Sequence, residues 1–192
     1  SIKNSIYPNG VPSKKWRMIS FPGSINDSII NNAKDDDHVF YQWDDSNSDW
    51  VIPNVVKTTE AYWFKHFYDN SLPFKSDSGI VIPLQPYKIE LKHGWNMIGS
   101  PFASIVEFEA NSNEVSDLYY FGDSTNRDGW SVVLKEMRPW AGYAVHSSSD
   151  TASVTLKPFQ NESLNRSSGK KLDQEWTVQF LIKEKNSFDN SI

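Results

Sequence analysis

One seven-residue phrase occurs twice in this chain. Trp16-Arg17-Met18-Ile19-Ser20-Phe21-Pro22 and Trp95-Asn96-Met97-Ile98-Gly99-Ser100-Pro101 both read W-x-M-I-x-x-P, 79 positions apart. The match continues at a spacing of 79 or 80, pairing Tyr41 with Tyr120, Trp50 with Trp130, Ala61 with Ala141, Trp63 with Tyr143 and His66 with His146. A duplicated unit of about 80 residues explains the series. The single extra residue falls between Tyr120 and Trp130, in a stretch of Gly, Asp, Ser, Thr and Asn where a loop tolerates insertion.

The residues inside each copy favour strands. Aromatics make up 14% of the chain, with 8 Trp, 8 Tyr and 11 Phe, a composition suited to sheets. Residues 16–21 are apolar and stop at Pro22. Residues 39–43 and 50–56 flank a turn-rich acidic stretch, as in a hairpin. Residues 61–68, 80–84 and 87–91 read as further strands, and 118–121, 130–134, 142–146 and 153–156 repeat the plan. Residues 25–34 and 104–110 have room for a helical turn or two. The expectation is an all-β fold of two tandem diverged repeats, packed as a sandwich or as paired small barrels, with little helix. The first repeat occupies 1–94 with its core at 14–91, and the second occupies 95–158. Residues 159–171 are polar and Ser/Asn/Lys-rich, reading as a linker or exposed loop. Residues 172–192, with a strong strand pattern at 176–182, either complete the preceding sheet or begin a following β domain.

Several function classes are disfavoured. A net charge of -5, with no basic cluster beside interleaved aromatics, gives no phosphate-binding stripe, so nucleic acid is not an expected partner. No apolar run approaches the 18 residues that direct membrane insertion needs. Cysteine is absent, excluding disulfides, thiolate metal sites and a thiol nucleophile. G-x-S-x-G, P-loop and H-E-x-x-H patterns are absent too, and no pair of carboxylates is singled out, so no catalytic residue is assigned and no enzyme is expected. No cofactor is expected. The acidic turns offer Asp44, Asp49, Asp123 and Asp128 as calcium candidates, although they lack the EF-hand series and consist of residues that any hairpin turn selects. A first residue of Ser rather than Met is what trimming of a leader or a larger parent would leave.

The duplication sorts the aromatics. Those kept in both copies, Trp16/Trp95, Tyr41/Tyr120, Trp50/Trp130 and Trp63/Tyr143, are assigned to a shared core. Trp43, Tyr62 and Trp140 have no aromatic counterpart and are the candidates for an exposed sugar-stacking platform. In a period-two strand Tyr62 points away from Trp63, making it the cleanest of the three, while Trp43 shares a face with Tyr41. Packing or an interdomain contact is the competing use of each.

The two W-x-M-I-x-x-P phrases, the tyrosine-turn-tryptophan hairpin and Trp140-Ala141-Gly142-Tyr143-Ala144-Val145 resemble repeat modules of large secreted and cell-surface proteins of Bacteroidetes and related bacteria, exported by type IX secretion. The resemblance covers residues 14–158, and the first copy departs from it by Ala61-Tyr62-Trp63 where Gly is expected. It implies an extracellular or cell-surface location and a non-catalytic structural or adhesive role. The implied partners are neighbouring domains of a longer chain, another surface protein or a polysaccharide. It also implies O-glycosylation candidates at Ser28, Ser124 and Thr151. Asn26, Asn161 and Asn165 fit N-x-S.

Overall fold

The computed structural model describes residues 2–23, 34–76, 85–123, 128–133, 135–158, 180–184 and 187–191. It is all-β, with 51% strand and no helix among the described residues, and its main body is three four-stranded antiparallel sheets. None of these closes into a barrel. Among the described residues no helix is long and apolar enough to cross a membrane. Two compact units divide the chain, residues 1–160 and residues 161–192.

Each repeat builds the same sheet. In the first copy β2 (Arg17–Ser20), β5 (Ala61–His66), β3 (His38–Asp44) and β4 (Asp49–Val51) lie in the order β2-β5-β3-β4. In the second, β8 (Gly94–Gly99), β13 (Gly142–Ser147), β10 (Leu118–Asp123) and β11 (Asp128–Val133) lie in the corresponding order β8-β13-β10-β11. The inward faces hold the apolar residues that strand periodicity selects. Phe40 and Phe64 stand opposite each other with ring centroids 4.5 Å apart, and Ile19 faces Tyr62.

A third sheet covers the second. It runs β12 (Glu136–Met137), β9 (Val106–Ala110), β14 (Ser153–Pro158), β7 (Tyr87–Glu90). Val106, Phe108, Met137, Val154 and Leu156 from this sheet meet Ile98, Leu118, Tyr143 and Val145 from the other, forming the core of a sandwich. β9 lies in a stretch with room for a helical turn. Val106 and Phe108 are buried while Glu107 and Glu109 point outward, so the segment has period two and forms a strand instead. The other segment expected to turn, 25–34, lies outside the described residues except for Lys34, which bridges to Val39. The strand expected at 80–84 lies outside them as well.

The first-copy core is Ile19, Phe21, Phe40, Tyr62 and Phe64, closed by Val11, Phe74 and, from the second copy, Trp140. Near it β1 (Ile2–Lys3) pairs with β6 (Lys75–Ser76), and Val11 bridges to Leu72. The boundary drawn at residue 94 moves toward the N-terminus. β7 pairs with β14 through Tyr87↔Leu156 and Glu90↔Ser153, so Tyr87 already belongs to the sandwich of the second copy. In the C-terminal unit β15 (Phe180–Glu184) and β16 (Ser187–Ser191) form a hairpin, with Phe180 opposite Ser191.

Strand pairing also corrects the alignment of the copies. Ile19 faces Tyr62, and its repeat partner Ile98 faces Tyr143. The equivalent of Tyr143 is therefore Tyr62, at a spacing of 81, and the equivalent of Trp63 is Ala144. Likewise Tyr41 faces Trp63 while Tyr119 faces Ala144, so Tyr41 matches Tyr119 rather than Tyr120. Trp43 opposite Trp50 matches Phe121 opposite Trp130. A one-residue slip sends every side chain of a strand to the other face. That slip put Tyr62 outside and Trp63 inside in the sequence reading.

The two copies exchange contacts reciprocally. Ile19 bridges to Ala141, and its counterpart Ile98 bridges to Glu60. The Ser20 N–H donates to the Trp140 carbonyl at 3.1 Å, and the Gly99 N–H donates to the Thr59 carbonyl at 3.0 Å. Such reciprocity is the signature of an isologous, twofold-like contact, here within one chain.

Candidate binding face

With the register corrected, a second set of aromatics shares the outer face of the two repeat sheets. In the first copy Trp16 and Tyr41 lie 5.8 Å apart, and Trp43 meets Trp50 at 5.1 Å. In the second copy Trp95 and Tyr119 lie 5.9 Å apart, and Phe121 meets Trp130 at 5.5 Å. Each distance in one copy has its match in the other. Trp63 joins the two sets, 4.7 Å from Phe121, 6.0 Å from Trp130 and 6.4 Å from Trp50.

The rings enclose two clefts. The first, about 690 Å³, is lined by Trp16, Tyr41, Trp50, Trp63, Phe121 and Trp130. The second, about 520 Å³, is lined by Trp43, Trp50, Trp95, Met97, Tyr119, Trp130 and Ala144. Under the twofold relation Trp16 maps to Trp95, Tyr41 to Tyr119, Trp63 to Ala144, Phe121 to Trp43, and Trp50 and Trp130 to each other. The lining of one cleft is thus the image of the lining of the other, with Met97 added. Trp50 and Trp130 serve both.

Four of the residues assigned to the core are therefore surface residues. Trp16, Trp50, Trp95 and Trp130 are 38, 37, 42 and 49% exposed. Tyr41, Trp63 and Tyr120 are half-buried, and of the eight only Tyr143 is fully enclosed. The physical reason is room. Phe21, Phe40, Tyr62 and Phe64 already fill the first core, so the residues that alternate with them face out. The platform candidates are reversed as well. Tyr62 is 0% and Trp140 1% exposed, so neither can stack on a ligand; Trp43 is half-buried and lines the second cleft. Trp140 sits in the first-copy core, edge-on to Phe21 at 6.1 Å, with its backbone at φ 72.

Matching anchors fix the tyrosines beneath the face. The Lys57 amide donates to the Tyr62 hydroxyl at 2.8 Å, and the Arg138 amide donates to the Tyr143 hydroxyl at 2.7 Å, each from five residues upstream. The Tyr62 hydroxyl donates in turn to Glu60. Burial pushes both phenols well above the ordinary tyrosine range.

A polar recess of about 200 Å³ opens beside the second cleft and shares Trp43, Trp95 and Met97 with it. Its walls include Gln42, Asp45, Glu60, Lys92 and Asn96. The Asp45 carboxylate accepts the Trp43 indole N–H at 3.1 Å and the Trp95 backbone N–H at 3.2 Å, tying the first hairpin to the second copy. The Trp43 bond is the main reason that its carboxyl sits below the usual range, with the Trp95 amide and the nearby His93 and His146 adding to it and burial opposing it. His146 lies 5.3 Å from the Trp95 ring, and the Lys65 ammonium lies 5.5 Å from the Trp16 ring centre.

The remaining candidates lie elsewhere. Asp44 accepts from the Ser46 amide and the Asn47 side chain, and Asp49 from the Trp50 amide, all within one turn. Asp123 and Asp128 pair across the second hairpin, and residues 124–127 between them lie outside the described set. Among the described residues no group of three or more His, Asp or Glu is placed to hold a metal. Thr151 is exposed in a turn beside Ser149. Ser28, Ser124, Asn26, Asn161 and Asn165 lie outside the described residues.

Compared with protein-family models, curated proteins and solved structures, the chain has no match.

Proposed function

We propose that this chain is a non-catalytic adhesive module of a larger extracellular protein, and that it binds carbohydrate through the paired aromatic clefts. The observation that carries this reading is the face itself: four half-exposed tryptophans arranged in duplicate. Contiguous exposed aromatic surface on a folded unit marks an interaction site. Indole and phenol rings stack on the C–H faces of pyranose rings and keep a polar edge for hydroxyls. The polar recess beside the second cleft brings carboxylate, amide and ammonium groups next to that apolar platform, the mixture that a saccharide needs and a purely apolar ligand does not. The resemblance to secreted Bacteroidetes modules supports the extracellular setting. Aromatics repeated in both copies suit a repeated binding surface as well as they suit a repeated core.

A second reading is that a neighbouring domain or another surface protein covers the same rings, supported by the near-absence of polar groups in the first cleft. A glycan array and pull-downs on insoluble polysaccharides separate the two, using wild type and a Trp50→Ala/Trp130→Ala double variant. Saturable binding that the folded double variant loses is the expected result. Binding unchanged in that variant would sink the assignment to this face, and no binding to any glycan would favour the protein partner.

A further inference from the structure

Resting on the carbohydrate reading, we propose that the two clefts are quasi-equivalent subsites for a single chain of β-1,4-linked pyranose units, which crosses from one cleft to the other over a wall formed by Trp50 and Trp130. The twofold relation sets the geometry. Trp16 with Tyr41 and Trp95 with Tyr119 form matching pairs at 5.8 and 5.9 Å, one pair in each cleft. Trp50 and Trp130 line both clefts, so the two share a wall.

A twofold-related pair of sites presents its two halves in opposite directions, which excludes a ligand read by a directional pattern of hydrogen bonds along its whole length. Ring stacking has no such requirement. A pyranose with equatorial substituents carries axial C–H groups on both faces, and it offers an apolar face to an indole whichever way the chain runs. Equatorial 1,4-linkage also keeps the chain extended, as passage from one cleft to the next requires. The clefts are equivalent but not identical. Trp63 stands where the second cleft has Ala144, and the polar recess adjoins only the second. Trp63 gives the first cleft one more ring to stack on, while the recess beside the second cleft offers Gln42 and Asp45 to hydroxyls.

Titration calorimetry with cello-, xylo- and chito-oligosaccharides tests this, using the disaccharide and the hexasaccharide of each series on the full chain. With the series that binds, wild type is expected to take two equivalents of disaccharide but one of hexasaccharide, the latter at least ~10-fold more tightly because the second contact becomes intramolecular. Trp16→Ala and Trp95→Ala should each leave one disaccharide equivalent and reduce hexasaccharide affinity to about that of the disaccharide. Both residues lie outside the two cores, and a far-UV spectrum and denaturation midpoint check each variant. A single disaccharide equivalent in wild type, or a hexasaccharide no tighter than the disaccharide, overturns the two-subsite arrangement and leaves the carbohydrate reading standing. Absence of binding to all three series overturns the proposal, and absence of binding to any glycan on the array overturns the carbohydrate reading with it.

Discussion

Tyr62 illustrates how much can turn on a single residue's register. Placed opposite Ile19 rather than facing solvent, it fills the first core and ties down the chain at Lys57 through its hydroxyl. Tyr62→Ala is therefore expected to destabilise by about 3–5 kcal/mol, as for other buried aromatic truncations. Tyr62→Phe, which removes only the hydrogen bonds, should cost about 1 kcal/mol. Urea denaturation measures both. The raised phenol pKa has a defined consequence with pH. The folded state keeps Tyr62 and Tyr143 neutral above the pH where the unfolded chain ionises them, so their contribution is intact below about pH 10 and is lost as pH rises beyond it. A Tyr62→Phe/Tyr143→Phe variant should show a shallower alkaline loss of stability than wild type, read from denaturation midpoints between pH 8 and 11. Trp16 lies at the other extreme. Because it is half in solvent, Trp16→Ala should cost under about 2 kcal/mol, against the larger loss that a core position would give.

At the level of elements, the meeting of the two copies leaves no room for side chains at two positions. A Cβ on Gly142 would come 2.6 Å from Met18 Cγ, 2.8 Å from the Ala61 Cβ and 3.0 Å from the Ile19 backbone nitrogen. A Cβ on Gly99 would collide with Ser20 and lie 3.0 Å from the Glu60 carbonyl. Gly142→Ala should cost about 1–3 kcal/mol by overpacking. Gly129→Ala, in the second hairpin with nothing within 4 Å of an added Cβ, should stay within about 0.5 kcal/mol of wild type. Thermal melts of the two variants make the comparison, and equal losses would refute the close approach. Asp45 is the second link between elements. Its lowered carboxyl pKa means that its hydrogen bonds stabilise the hairpin contact above the unfolded carboxylate's titration and are lost as pH falls through the folded value. The resolved indole N–H resonance of Trp43 should therefore shift on acidification in wild type, and Asp45→Asn, with no carboxylate to titrate there, should lose that step.

Within the unit of residues 1–160, Trp140 joins the two copies. It belongs to the second copy by sequence and to the first-copy core by position. With its carbonyl accepting from Ser20, Ala141 bridging to Ile19, and the matching contacts at Gly99 and Ile98, the two repeats should unfold in one calorimetric transition, as a domain with a shared core does. Trp140→Ala is expected to lower stability by about 3–5 kcal/mol and to broaden or split that transition. A sharp single transition at an unchanged temperature would show that the indole contributes little to joining the copies.

The sequence by itself determined the all-β character, the duplication and the placement of most strands, because period-two patterns and turn residues are local signals. It also marked the aromatic pairs that matter, since Trp16/Trp95 and Trp50/Trp130 are visible as repeats. What it left undecided was which side of each strand meets the core. That depends on register, a relation between segments far apart in the chain, and the 80-residue alignment slips by one position in β5 and in β10 without any local sign. The shared rings looked like core because both core and binding face select large aromatics; only tertiary packing, with Phe21, Phe40 and Phe64 already occupying the interior, decided that the tryptophans face water.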